Sequence, residues 1–432
     1  MTSSRRPPQL VVETREIELV DDLLAYASPD EPLAWLRRGD GIVGIGRVGG
    51  YERGPHSPAV GVHGDLGLSP ADTWREIALT AEVDDPVGLP GTGLVAFGTL
   101  VFDERSAATS RLVVPQAIVG RHRGRSWITR VRSRFDLPEP SLQPAPYGPH
   151  WSATLGPGTL DPAGYQAAVR AAVEAIRAGE LEKVVLARDL VGTIPAGADL
   201  RRLVRALAHD YPDTWTFAVD GMIGASPETL VTASRGVVTA RVLAGTIPRG
   251  TDAHDDAAAS TSLAHSDKDL GEHRFAVQSV LDALGPHVSH LRADPEPFTL
   301  KLPNLWHLAT DVAGDLADHA SSLDLVAALH PTAAVAGTPT AAALDAIRRL
   351  EPFDRGRYAG PVGWVDGDGN GEWAIALRCA QIGSDPAHGH AEYSATIPVV
   401  AHAGAGIVAA SDPESELLET RVKFRPIVDA LA

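Results

Sequence analysis

The 432 residues are 44% hydrophobic and 22% charged, enough apolar material for a large buried core. A formal charge of −17 excludes the basic footprint that nucleic acid requires, and the single cysteine, Cys379, excludes an internal disulfide framework and fits a reducing compartment. No uncharged apolar run reaches the roughly 18 residues of a membrane span, and MTSSRRPPQLVVETREIELV lacks the apolar stretch of a signal peptide, so the expectation is a cytoplasmic protein.

In chain order, residues 1–10 read as a disordered lead. Residues 11–135 alternate short apolar runs (IVGIGRV, GLVAFGTLVF, RLVVPQAIVG, SWITRV) with Gly/Pro turns, the pattern of antiparallel strands. DLPEPSLQPAPYGPH, 136–150, is Pro-rich and reads as a linker or surface excursion. A helix follows, with Asp161 at the N-cap, Pro162 at N1, Gly179 past the end, and Tyr165, Val169, Val173 and Ile176 as its apolar stripe. LEKVVLARDLV, TWTFAVDGMIGAS and VVTARVLAGT read as strands. Helices are expected at 267–285, capped by Ser266, at 322–330 and at 339–350. Late strands are expected in GPVGWVDGDGNGEWAIALRCAQI, with DGDGNG as a hairpin turn, and in YSATIPVVAHAGAGIV. The last helix starts near SDPESELLET, where Ser411 and Glu414 have capping-box spacing.

Only four of the 38 basic residues are lysine: Lys183, Lys268, Lys301 and Lys423. Lysine can lose its proton when desolvated and arginine effectively cannot, so a retained lysine is a candidate for chemistry, or an accident of composition. Lys183 is followed by VVLAR. On a strand it can point into a cleft, where apolar neighbours would lower its pKa toward that of a general base; the alternative is an edge lysine paired with Glu182.

Asp269 and Glu272 are i, i+3 on the predicted helix, and Glu416, Glu419 and Lys423 share one stripe of the last helix. Two carboxylate pairs on two helices offer hard oxygen ligands of the kind Mg²⁺ takes, and each alone is equally what a solvated helix face looks like. Glu228 in GASPETLV stands where a strand ends, either solvated or partly buried and protonated as a general acid. GAGIV, 404–408, is either a tight turn or a backbone site whose N–H groups hold a carboxylate. Arg378, within a strand of apolar neighbours, needs an anion, a ligand's or a structural partner's. His307 and His273 are polar groups of a site or satisfied core histidines.

KVVLAR, GASPETLV, LAGT, SDKDLGEH, LPNLWHLAT, LHPTAAVAGTP, LEPFDRGRYAGPVGWVDGDGNGEWAIALRCA and GAGIV…ETRVK, in order from about 160 to 430, resemble the chorismate-utilising enzymes, and among them the isochorismate synthases. The resemblance implies one α/β fold of large, mostly antiparallel sheets flanked by helices, with the active site in a central cleft. Residues 11–150 would be its variable front part and 151–432 its chorismate-binding catalytic region. It implies Lys183 as the base that activates water for attack at C2 of chorismate and Glu228 as the acid that protonates the departing C4 hydroxyl. It implies Mg²⁺ on Glu272 and Glu419, supported by Asp269 and Glu416. Arg378, Gly404, Gly406 and Lys423 would hold the substrate carboxylates, Ala244, Gly245, Thr246 and His307 would belong to the substrate site, and Ala334 and Val335 would line the ring pocket.

The ammonia-using branch of the family resembles a glutamine at the Lys183 position, and the aminodeoxychorismate branch carries a nucleophilic lysine where this chain has Ala244. The expected reaction is therefore isochorismate formation. Salicylate synthesis, with pyruvate eliminated in a second step, is the alternative within the family, and a silent chorismate binder is the alternative outside catalysis. The expected pathways are menaquinone or siderophore synthesis, the expected partner is chorismate alone, and the expected state is a monomer.

Overall fold

A computed structural model describes residues 10–54, 69–133, 137–301, 305–317, 320–383 and 395–432. Two large sheets pack face to face, with helices on the outer faces. Among the described residues every strand pairing is antiparallel except that of Leu10–Ile17 with Glu82–Asp84. Trp35 and Phe217 from the larger sheet and Phe97, Trp364 and Trp373 from the smaller one share a single core between them. Each such side chain stabilises by roughly 1.5–3 kcal/mol on burial. Trp35 Nε1 also donates to Glu372 Oε2 at 3.0 Å, a polar tie between the sheets.

Strands from the front third are hydrogen-bonded into both sheets. Leu33–Arg37 pairs with Trp215–Val219, and Val95–Thr99 pairs with Pro361–Asp366. Among the described strands, four of the passages from one sheet to the other are made by links of only two or three residues, and these fall into two neighbouring pairs. In the front pair, Asp40–Ile45 leads into Gly49–Arg53 and Ser110–Val114 leads into Ala117–His122. In the back pair, Met222–Ser226 leads into Thr229–Ser234 and Gly371–Ile375 leads into Cys379–Ile382.

The helix Pro162–Arg177 forms as its sequence predicts. Asp161 accepts the Gly164 N–H, Gly179 takes φ +79°, and Tyr165, Val169, Val173 and Ile176 are buried. That face packs on the strand Lys183–Pro195 and the helix Pro413–Leu431. Ser266 caps Asp267–Leu284, and the helices Ser322–Leu329 and Thr340–Leu350 match their predicted ranges within a residue.

Several expectations are corrected. The front third also holds a helix, Pro70–Leu79, capped by Ser69 with Trp74 and Ile77 buried, and helices form at Arg201–Asp210 and Ala253–Ala264. The last helix is capped by Asp412, which accepts the Ser415 N–H; Pro413 fixes the first helical position, and Ser411 instead accepts the Val408 N–H. Of the lead expected over 1–10, only Leu10 is described, and it opens a strand and is buried. Residues 137–150 form no helix or strand, and Gly148 and Tyr147 tie them back to Asp199 and Asp22. Among the described residues no helix is long and apolar enough to cross a membrane.

Candidate active site

The back pair of crossings builds the site. Pro227 and Glu228 lie where the chain leaves Met222–Ser226 for the other sheet, and Ala376, Leu377 and Arg378 lie where it returns. The two crossings are laced together. The Ile375 N–H donates to Glu228 O at 3.1 Å, the Ala225 N–H to Arg378 O at 3.1 Å, and Ser226 Oγ to Ile375 O at 2.6 Å. Glu228 and Arg378 therefore stand side by side at the mouth between the sheets. Arg378 is not inside a strand, as its apolar neighbours suggested; it sits in the bend between two strands at φ +51°.

A cavity of about 120 Å³ opens there, far beyond the 10–15 Å³ that one water needs. It is lined by Lys183, Glu228, Ala244, Gly245, Thr246, His307, Ala334, Val335, Arg378, Gly404 and Lys423. Burial pushes the Glu228 carboxyl up to about 7, against the pull of Lys423, Lys183 and Arg378, so Glu228 holds a proton near neutral pH. Arg378 is enclosed, its pKa lowered by burial, and its Nη1 is buried with no hydrogen-bond partner among the described residues. A buried guanidinium nitrogen without a partner is costly unless a ligand supplies one.

Lys183 opens the strand Lys183–Pro195, flanked by Thr396–Ile407 and Gly337–Thr338, so it is not on an edge. Its Nζ lies 4.0 Å from Glu272 Oε2, on the helix Asp267–Leu284, and its partner is therefore Glu272 and not Glu182. A Cβ on Gly406 would stand 3.0 Å from Lys183 Cε, so Gly406 serves by leaving room for the lysine and does not itself line the cavity.

GAGIV is not a turn but the end of the strand Thr396–Ile407. Val185 faces Gly406 and Ala187 faces Gly404. The N–H groups of Val185 and Ala187 point the other way, to Ala336 O and Glu351 Oε1. These are non-hydrogen-bonded pairs, so the Gly404 and Gly406 N–H groups also point away from the Lys183 strand. Lys423 Nζ reaches Gly404 O from that side at 2.8 Å. Pairing with Cys379–Ile382 ends at Ala401, so no described strand covers that edge beside the two glycines.

LAGT contains a bulge between Ala244 and Thr246, where Gly245 takes φ +80°. A side chain at Gly245 would meet Asp269 Cβ at 3.2 Å. His307 Nδ1 lies 3.3 Å from Gly245 O and 2.9 Å from Thr246 Oγ1, so that nitrogen carries the proton. Burial, with Arg378 and Lys423 near, pushes the His307 pKa down to about 3, and the ring is neutral. His273 is a core group, bonded to Ala244 O and Thr310 Oγ1 and 1% exposed.

The four proposed metal carboxylates divide in use. Glu419 lies 2.6 Å from Lys423 Nζ; burial raises its pKa, but Lys423 prevails and holds it below the usual range. Asp269 accepts a hydrogen bond from its own cap, Ser266, and Glu416 is half-buried on the last helix, its charge felt at Tyr165. Among the described residues no three metal-ligating side chains converge. Glu272 and Glu419 are nevertheless half-buried oxygen donors, each against a lysine that lines the cavity. Two carboxylates completed by substrate oxygens and waters are a donor set that suits Mg²⁺.

Val185, Arg355, Tyr358, Leu377 and His402 also line the cavity and were not singled out from the sequence. Arg355 and Tyr358 lie in the LEPFDRGRYAG block, and His402 directly precedes AGAGIV, so position within these motifs was the available signal. Burial pushes the His402 pKa down to about 4, and its neutral ring stacks on Tyr358 at 5.1 Å.

Residues 68–432 match the profile of a family described as chorismate binding enzyme. The isochorismate synthase DhbC of Bacillus subtilis is 37% identical over 346 residues, covering 77% of this chain and 80% of that protein. The salicylate biosynthesis isochorismate synthase of Pseudomonas aeruginosa is 37% identical over 297 residues, covering 67% and 60%. In fold, the chain matches MenF, the menaquinone-specific isochorismate synthase of Escherichia coli, with a TM-score of 0.75 at 24% identity over 99% of this chain and 97% of that one. A cleft between two sheets that holds a carboxyl of raised pKa, a lysine and an arginine whose buried Nη1 has no partner among the described residues, with a family match over most of the chain, makes this chain a member of the chorismate-binding enzymes.

Proposed function

We propose that this chain converts chorismate to isochorismate. The observation that carries the reading is one cavity whose lining brings together Lys183, Glu228 with its carboxyl pushed up to about 7, and Arg378, whose buried Nη1 has no partner among the described residues. Chorismate is a dianion, and Arg378, Lys423 and the outward N–H group at Gly404 provide a local positive site in an acidic protein. Lys183 takes a proton from water as its oxygen bonds to C2. Glu228 gives its proton to the C4 hydroxyl as the C4–O bond breaks, and water leaves. One water enters and one departs, so the step is an isomerisation and needs no redox partner. Neutral His307, fixed by Gly245 and Thr246, adds a hydrogen-bonding edge without a competing charge.

Glu272 and Glu419, supported by Asp269 and Glu416, would hold Mg²⁺, which when bound neutralises and orients the ring carboxylate. Every named side chain comes from one chain, so a monomer suffices. Chromatography of chorismate incubated with the protein, with and without Mg²⁺, tests the proposal. Isochorismate approaching an equilibrium mixture only with Mg²⁺ is the expected result. Salicylate with pyruvate would reassign the second step to the pocket at Ala334 and Val335, and no product would leave a silent binder.

A further inference from the structure

Two arginines stand in the cavity wall and are used differently. Arg378 keeps a bare nitrogen. Arg355 is spent on the protein: Nε donates to Glu351 Oε2 at 2.8 Å, Nη1 to Val335 O at 3.1 Å, and Nη2 to Val185 O at 2.7 Å and Glu351 Oε1 at 2.5 Å. Glu351 Oε1 also accepts the Ala187 N–H at 2.7 Å. Both side chains are almost wholly buried, at 3% and 1% exposure.

Such a pair contributes little net stability over apolar residues of the same size, and what it does give is fixed geometry. Val185 lies two residues beyond Lys183 on the same strand, and Val335 follows Ala334 in the ring-pocket loop. One planar guanidinium therefore spans the element that carries the base and the element that faces the ring. The front third grips it from behind. The Phe102 ring lies 4.4 Å from the guanidinium, Phe102 O accepts from His330 Nε2 at 3.1 Å, and the Phe102 N–H donates to Gly356 O at 2.9 Å.

We propose that Arg355 is a positioning residue: braced by Glu351 and Phe102, it sets the placement of Lys183 relative to a ring bound against Ala334 and Val335. This rests on the reading of the cavity as a chorismate site with Lys183 as base. Wild-type protein is therefore assayed first, and absence of isochorismate would defeat that reading, whereas the variants test the brace.

Arg355→Lys keeps the charge and loses the span. The double variant Glu351→Gln/Arg355→Met removes the pair without leaving a lone buried charge. Both should lower kcat about tenfold or more, since small misplacements of a reacting group cost that much. KM should stay within about twofold and Tm should change little. Phe102→Leu should lower kcat in the same sense by a smaller factor. Unchanged kcat, or a rise in KM at constant kcat, would overturn the proposal. If neither Arg355 variant folds, Phe102→Leu decides: lowered kcat at constant KM supports the brace, and wild-type kcat overturns it.

Discussion

The front and back crossings between the sheets have the same shape and different contents. In front, the Gln116 N–H donates to Ile45 O at 3.0 Å and the Val48 N–H to Val114 O at 2.9 Å, much as the back crossings are laced through Ile375, Glu228, Ala225 and Arg378. The polar side chains at the two front turns, Gln116 and Arg47, are met by the protein or lie open at the surface. Gln116 Nε2 donates to Pro138 O, and Arg47 is 43% exposed with Glu52 at 3.7 Å. The back pair instead turns a carboxyl and a guanidinium into a cavity and leaves one nitrogen without a partner. The fold supplies the crossing; the site is made by withholding the partners that stability alone would favour.

That contrast can be broken from either side. The largest effects belong to the back crossing and its base. Glu228→Gln should lower kcat by about 10²–10⁴-fold. Lys183→Ala should abolish turnover while leaving ligand binding, and Lys183→Arg should not rescue it, because arginine does not give up its proton. Steady-state rates on chorismate check all three, and full activity in Lys183→Ala would remove it as the base. Arg378→Ala should act mainly on KM, by about 2–4 kcal/mol or roughly 30- to 700-fold, as expected for loss of a buried charged contact. Gly406→Ala brings a Cβ against Lys183 Cε and should lower kcat about tenfold without a matching rise in KM.

The smallest effect should come from the front. Gly46 takes φ +65°, so Gly46→Ala should cost about 1–2 kcal/mol of stability and leave kcat and KM at wild-type values. A fall in kcat at constant fold there would erase the distinction between the two crossings.

Much of the site was legible because each motif carries its residue types within a few positions. KVVLAR, GASPETLV and LAGT place Lys183, Glu228 and Gly245 without any long-range information. The strand-to-sheet assignment was not legible. SPE at 226–228 and ALR at 376–378 resemble an ordinary turn and an ordinary strand, and nothing local says that the chain changes sheets there. The same limit hid Arg355, whose partners are the backbone of Val185 and Val335, one of them far away in sequence. The helix Ala253–Ala264 escaped because its alanines, serines and threonines form no apolar stripe; only Asp256 and Leu263 are buried. The turn reading of GAGIV failed because its glycines are there for Lys183 and for an open strand edge, and not for φ freedom.

The proton on Glu228 is the central claim, and it has a sign that can be measured. Its folded-state pKa is raised to about 7 from an ordinary 4.5. The folded state therefore binds the proton more tightly, and that contribution to stability is full below about pH 4.5 and lost as pH rises through 7. Glu228→Gln should then gain in Tm relative to wild type at pH 8 and not at pH 4. The most direct measurement is the pH profile of kcat/KM for chorismate turnover, which reports the groups of the free protein, in wild type and in Glu228→Gln. A wild-type rate that falls above about pH 7, with that limb missing from the residual activity of the variant, is the predicted result. A wild-type rate that stays level to pH 9, or the same limb in Glu228→Gln, would contradict it.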